Sequence, residues 1–125
     1  MKKIFIDPGH GGYDSGSAAF GLIEKDINLT VAKELKKLLL NNGFEVKMSR
    51  ETDIFLNLRD IPRLANDWGA DILVSVHHNA SGGDGWEIIH SMMQGKKDLS
   101  KKLAECIGKE FSALGQNQRG SPIFA

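Results

Sequence analysis

Short apolar runs alternate along the chain with longer stretches of helical period. "KIFID" at residues 3–7 has the length and composition of a buried strand. Residues 8–23 are rich in Gly, Ser and Asp and predict a long loop. From residue 24 to about 41, Ile27, Val31, Leu35, Leu38 and Leu39 recur at helical spacing while lysines fill the other face. "NNG" at 41–43 is a helix stop, and "FEVKM" after it predicts a second strand. Leu56 to Trp68 predicts a second helix, with Pro62 near its middle arguing against a long regular one. "ADILVSV" is the most apolar strand of the chain, and its near-continuous run predicts burial on both sheet faces. "GWEIIH" at 85–90 predicts a fourth strand, and residues 97–114 an amphipathic helix through Leu99, Leu103, Cys106, Ile107 and Phe111. This order of elements implies an α/β domain with a largely parallel sheet.

Composition narrows the function classes. At 125 residues, with 41% hydrophobic and 26% charged positions, the chain fits one ordinary globular domain. Sixteen basic residues balance sixteen acidic ones, so no global field draws the protein to nucleic acid or to an anionic membrane. Cys106 is the lone cysteine, which rules out an internal disulfide, and its helical spacing from Leu103 and Ile107 reads as a small buried core residue. No export signal precedes the first strand and no apolar run reaches transmembrane length. As written, the expectation is a soluble protein made in the cytoplasm.

In open α/β sheets, ligands bind at the carboxyl ends of the strands. The polar loops "DPGHGGYDSG" and "HHNASGGDG" follow the first and third predicted strands, so both lie on that rim. They carry His10, His77 and His78. Catalytic zinc sites use three protein ligands from His, Glu and Asp and keep a fourth position for water. Glu24 supplies a carboxylate at the start of the first helix, on the same edge, where the helix dipole also favours an anion. Taken singly, His10 reads as a turn histidine and Glu24 as an acid that stabilises its own helix. Their convergence on one rim is what favours a metal. His77 and His78 point to opposite sides in extended backbone, so at most one reaches the same ion, and alternation does not choose between them. His90, at the far end of the fourth predicted strand, reads as an ordinary polar residue.

"IDPGHGGYDSGSAAFGLIEKDINL", "RETDIFLNLRDIPRLAN" and "ADILVSVHHNA" together resemble the zinc-dependent N-acetylmuramoyl-L-alanine amidases of the amidase-3 type, found in bacterial autolysins and phage endolysins. The likeness runs from Ile4 to about Arg119. It implies a single three-layer α/β domain over residues 1–125, with a twisted, mostly parallel sheet flanked by helices. By position it puts the family's zinc ligands on His10, Glu24 and His77, with Zn2+ as cofactor, and leaves His78 as a neighbour. Arg50, Thr52, Asp53, Arg59 and Asn66 also match recurring positions, and their implied roles are loop bracing and strand–helix packing.

The implied reaction is hydrolysis, by zinc-activated water, of the amide joining the lactyl group of N-acetylmuramic acid to L-alanine of the stem peptide. Peptidoglycan is the implied partner, with no nucleic acid and no membrane. The family's general base is a glutamate in a segment resembling "PAVLVE", expected beyond Ala125, so the resemblance implies a domain lacking its C-terminal strand and helix. Glu87 in "GWEII" is the substitute within the chain, although a glutamate bonded to a neighbouring loop or to a ligand histidine is the preferred reading. The expectation for residues 1–125 is a chain without its base.

Two rival readings remain. A nucleotide-binding loop needs G-x-G-x-x-G or a P-loop, and glycines at 9, 11, 12, 16 and 21 fit neither. A zinc-containing but non-catalytic peptidoglycan-binding module fits the same residues. The missing signal peptide favours a phage-released endolysin or a mother-cell lysis amidase over an exported autolysin.

Overall fold

A computed structural model describes residues 1–79, 85–91 and 97–116. The chain divides into two compact units, residues 1–80 and 81–125. In the first, β1 (Lys3–Pro8) is the middle strand of a parallel sheet and pairs on one side with β4 (Glu45–Met48) and on the other with β5 (Ile72–Val76). A small antiparallel hairpin, β2 (Ala18–Ala19) and β3 (Leu22–Ile23), folds within the loop after β1. Helices α1 (Glu24–Asn41) and α2 (Asp60–Trp68) complete the unit.

Alternation along β1 explains the layers. Ile4 and Ile6 point to one face, where they pack with Ala32 and Met48 against Leu29, Leu35 and Leu39 of α1. Phe5 points to the other, where it meets Ile61, Ala65 and Trp68 of α2. The central strand thus carries two cores, and Phe5 and Ile6 are wholly buried. The parallel α/β architecture with helices on both faces is the one the element order predicts.

Several local expectations change. α1 keeps its predicted bounds, and of its predicted stripe Leu35 and Leu39 pack on the core and Ile27 is half-buried, whereas Val31 and Leu38 are exposed and the fully buried positions are Glu24, Asn28 and Ala32. Residues at i, i+4 and i+8 share a face, and here two of the three are polar. α2 begins at Asp60 instead of Leu56. Pro62 then falls in its first turn, where a missing N–H costs no helical bond. β5 is not buried on both faces: Ile72, Val74 and Val76 are half-buried while Leu73 and Ser75 are exposed, because β5 lies at the edge of the described sheet.

In the second unit, α3 (Lys97–Ala113) forms over the predicted span, but Leu99, Leu103 and Phe111 of its expected apolar face are exposed. Residues 85–90 do not form the expected strand; Trp86 and His90 make only single bridge positions. The Trp86 indole stacks on Phe111 at 5.9 Å and donates from Nε1 to the Gln116 carbonyl at 3.3 Å. Cys106 is exposed, against its expected place in a core, since the buried positions of α3 go to Gly108, which lies under the Trp86 ring. No described helix is long and apolar enough to cross a membrane.

Candidate metal centre

The centre is built where β1 and β5 end. Pro8 closes β1, and Gly9 N–H donates to the Val76 carbonyl at 2.9 Å, which carries the pairing one residue further. Gly9 must be glycine for a steric reason: a Cβ there would run into the His77 imidazole. The chain then turns sharply. His10 adopts φ 64°, a left-handed conformation uncommon for a residue with a side chain. Gly11 and Asp14 exchange backbone hydrogen bonds at 2.8 and 3.1 Å across the turn.

A buried arginine fixes this loop. The Arg50 guanidinium donates to the carbonyls of Pro8 (3.0 Å), Gly9 (3.1 Å), Lys25 (2.9 Å) and Thr52 (3.1 Å). Asp53 adds an outer clamp, accepting from Gly12 N–H at 2.7 Å and from Lys25 Nζ at 2.8 Å. Loop bracing is therefore what Arg50 and Asp53 do. Among the described residues Arg59 and Asn66 brace no loop: both are exposed, and the Arg59 backbone N–H is bonded to Asn57 Oδ1 at 3.0 Å.

The structure brings His10, Glu24 and His77 together, each offering one donor atom, and these atoms lie within 4.8 Å of one another. Glu24 Oε1 is 3.2 Å from His10 Nε2 and 3.1 Å from His77 Nδ1. The imidazoles meet edge to face at 5.0 Å between centroids. Glu24 is 4% exposed and does not cap its own helix; its Oε2 accepts Ser17 N–H at 2.9 Å across the loop. Burial raises its pKa, but the N–H groups of Ser17 and His78, the Asn28 amide and the nearby His10 outweigh it and hold the carboxyl at about 2. An anion is thus kept between two imidazoles.

Two further residues complete the centre, and the hydrophobic pattern pointed to neither. Asp14 Oδ2 lies 2.9 Å from His10 Nδ1. A carboxylate only accepts, so that contact is a hydrogen bond when Nδ1 carries the proton, which leaves the Nε2 lone pair facing Glu24 and His77. Asn28, wholly buried, donates to the Gly9 carbonyl at 2.9 Å and to Glu24 Oε1 at 3.4 Å, and its Oδ1 lies 2.8 Å from His78 Nδ1. Its position four residues after Glu24, on the same helical face, was the available signal. His78 serves through its backbone N–H, 3.1 Å from Glu24 Oε1. Neither His78 nor His90 belongs to the group, and Glu87 lies in the second unit.

This donor set fits a divalent transition metal. Two imidazoles and a carboxylate converge, the carboxylate is ionised, and an outer carboxylate orients one histidine. Beside the cluster runs a groove of about 430 Å³, with Asp7, His10, Asp14 and His77 on it and the segment Phe55–Arg59 along its wall. Tyr13 stacks on Phe55 at 4.4 Å.

This arrangement belongs to a known class. The family Amidase_3, N-acetylmuramoyl-L-alanine amidase, matches residues 4–122, and the chain belongs to that family. It is 40% identical over 125 residues to the endolysin of Bacillus phage SPP1, covering 95% of this chain and 46% of that protein. It is 46% identical over 89 residues to the sporulation-specific N-acetylmuramoyl-L-alanine amidase of Bacillus subtilis, covering 70% of this chain and 35% of that protein. The chain thus spans less than half the length of these relatives. The solved catalytic domain of CwlV, an N-acetylmuramoyl-L-alanine amidase from Paenibacillus polymyxa, matches with TM-score 0.82 and 31% identity over 100% of this chain and 70% of that one. The N-acetylmuramyl-L-alanine amidase of Mycobacterium abscessus shares the fold, with TM-score 0.89 at 17% identity over 99% of this chain and 74% of that one.

Proposed function

We propose that this chain binds zinc through His10, Glu24 and His77 and serves hydrolysis of the amide between the lactyl group of N-acetylmuramic acid and L-alanine in peptidoglycan. The observation that carries the reading is the convergence of three donor atoms of the right types within 4.8 Å, at the head of an open groove. When bound, zinc supplies Lewis acidity toward a carbonyl oxygen and lowers the pKa of its water to about 7. The chain's own groups do the rest of the preparation. Asp14 orients His10, while Asn28 and the backbone N–H groups of Ser17 and His78 keep Glu24 ionised and in place. Family membership and the names of the relatives support a wall substrate, and an endolysin among them supports a role in lysis.

One observation favours a second reading, a zinc-containing module that binds peptidoglycan without cutting it. The other carboxylates on the groove are engaged: Asp7 accepts from Ser49 and Ser75 at 2.7 and 2.8 Å, and Asp14 from Gly16 N–H besides its contact with His10. Neither is free to take a proton from water. Incubating the zinc-loaded protein with purified cell walls, while measuring both sedimentation with the wall and release of new L-alanine amino termini, separates the two. Released termini establish the hydrolase, wall binding without release establishes the module, and the absence of both binding and release sinks the peptidoglycan reading.

A further inference from the structure

The groove wall from Phe55 to Arg59 is one short segment that ends at the first turn of α2. It presents apolar side chains at Phe55, Leu56 and Leu58 and then a cation. Among the described residues, the surrounding charges leave that cation available. Asp60, its chain neighbour, is taken by Arg63 at 2.7 Å. Asp7 is capped by two serine hydroxyls, and Asp14 faces His10 and Gly16 N–H. Asp53 is paired with Lys25. Among the described residues, no carboxylate bonds the Arg59 guanidinium, although it borders a groove that holds two of them.

We propose that Arg59 is a substrate-positioning residue that binds a carboxylate of the stem peptide, on the amine side of the amide presented to His10, Glu24 and His77. The inference rests on the peptidoglycan reading above and adds the polarity of the bound substrate. On the glycan side of that amide the muramoyl sugar is uncharged, because its lactyl carboxyl is consumed in the bond. The peptide side carries free carboxylates. A guanidinium offers paired N–H donors that match a carboxylate's two oxygens. The apolar side chains of Phe55, Leu56 and Leu58, with Asn57 among them, suit the alanyl methyl and the aliphatic carbons that follow it. Arg59 thus selects which arm of the substrate lies along the wall and so sets the direction in which the amide meets the cluster.

The test measures binding, so that it works for a hydrolase and for a wall-binding module alike. N-acetylmuramoyl-L-alanyl-D-glutamate with both carboxyls free, and the same compound with both converted to amides, are titrated into zinc-loaded wild type, Arg59→Ala and Arg59→Lys, with zinc content measured alongside. Wild type is expected to prefer the acid by about tenfold, as for a charge-assisted pair. Arg59→Ala should abolish that preference without changing affinity for the amide or the zinc content. Arg59→Lys should restore part of it, and added salt should shrink it in wild type. Equal affinity of wild type for acid and amide, or a preference that survives in Arg59→Ala, overturns the assignment and leaves the peptidoglycan reading intact. Failure of wild type to bind either compound overturns both.

Discussion

The two histidines of the centre are held by different means. His10 stands on a loop in a left-handed conformation, and the loop keeps its shape only because Arg50, Asp53, Lys25 and Asn28 engage its backbone. His77 needs no such scaffold. It follows β5 directly, its place fixed by pairing between Pro8 and Val76 and by the absence of a side chain on Gly9. Between them stands Glu24, at a helix start, bonded toward both. A loop ligand is thus positioned by specific polar bonds, which single substitutions can remove, and a strand-end ligand by sheet register and the bare Gly9 beside it, which no loss of a polar side chain touches. The two arms should therefore fail differently.

Arg50→Ala should have the largest effect on that contrast. It strips the side-chain donor from the Pro8 carbonyl and one of two from the Gly9 carbonyl, which keeps Asn28, and an unsatisfied buried acceptor costs roughly 1–3 kcal/mol, so a loss of about 2 kcal/mol of stability is expected. Denaturant unfolding measures that loss. Hydrogen exchange should show it concentrated at residues 9–14, with the β1–β5 pairing still protected; uniform loss would mean that both arms depend on the loop.

The carboxylate that joins the arms gives the next effect, in metal-free protein. Folding lowers the Glu24 pKa from 4.5 to about 2. A depressed carboxyl contributes stability above its unfolded pKa and loses it as pH falls toward the folded value. On the order of 3 kcal/mol should therefore disappear between about pH 4.5 and pH 2. Thermal melts across that range should slope steeply for wild type and less for Glu24→Gln, which has no charge to lose. Parallel slopes would remove Glu24 from the account.

Asp14→Asn should act on one arm alone. Outer carboxylates that orient a ligating histidine contribute roughly 10–100-fold to metal affinity, and Asp14 touches His10 but not His77. A zinc-competition titration is expected to show weakening in that range with folding stability nearly unchanged. No weakening would mean that the loop holds His10 without its help.

Much of this was legible in the sequence, and the failures have physical causes. Apolar runs located β1, β4 and β5, and helical spacing located α1, because a central parallel sheet leaves strong periodic signals. The same spacing pointed to Val31 and Leu38 as packed positions, whereas α1 buries Glu24 and Asn28 instead. A functional site had taken part of the core stripe, and counting apolar residues does not register that. Leu73 misled in the opposite way, since an apolar run at a sheet edge looks like one in its middle. Cys106 was placed inside by its spacing and lies outside. Of the candidate site, the convergence of His10, Glu24 and a histidine from 77–78 followed from strand ends sharing a rim. The contacts of Asp14 and Asn28 did not follow, because they depend on a tight turn and on side-chain directions that only coordinates supply.

The central claim is that one metal ion is held jointly by the loop arm, the strand arm and the carboxylate between them. Zinc titration of the purified chain against a chromogenic chelator tests it most directly, with His10→Ala, Glu24→Ala and His77→Ala in parallel. One tightly bound zinc per wild-type chain is expected. Each substitution should weaken binding by more than the roughly hundredfold that removing an outer partner can cause. Stoichiometric zinc retained in all three variants, or none bound by the folded wild type, would contradict it.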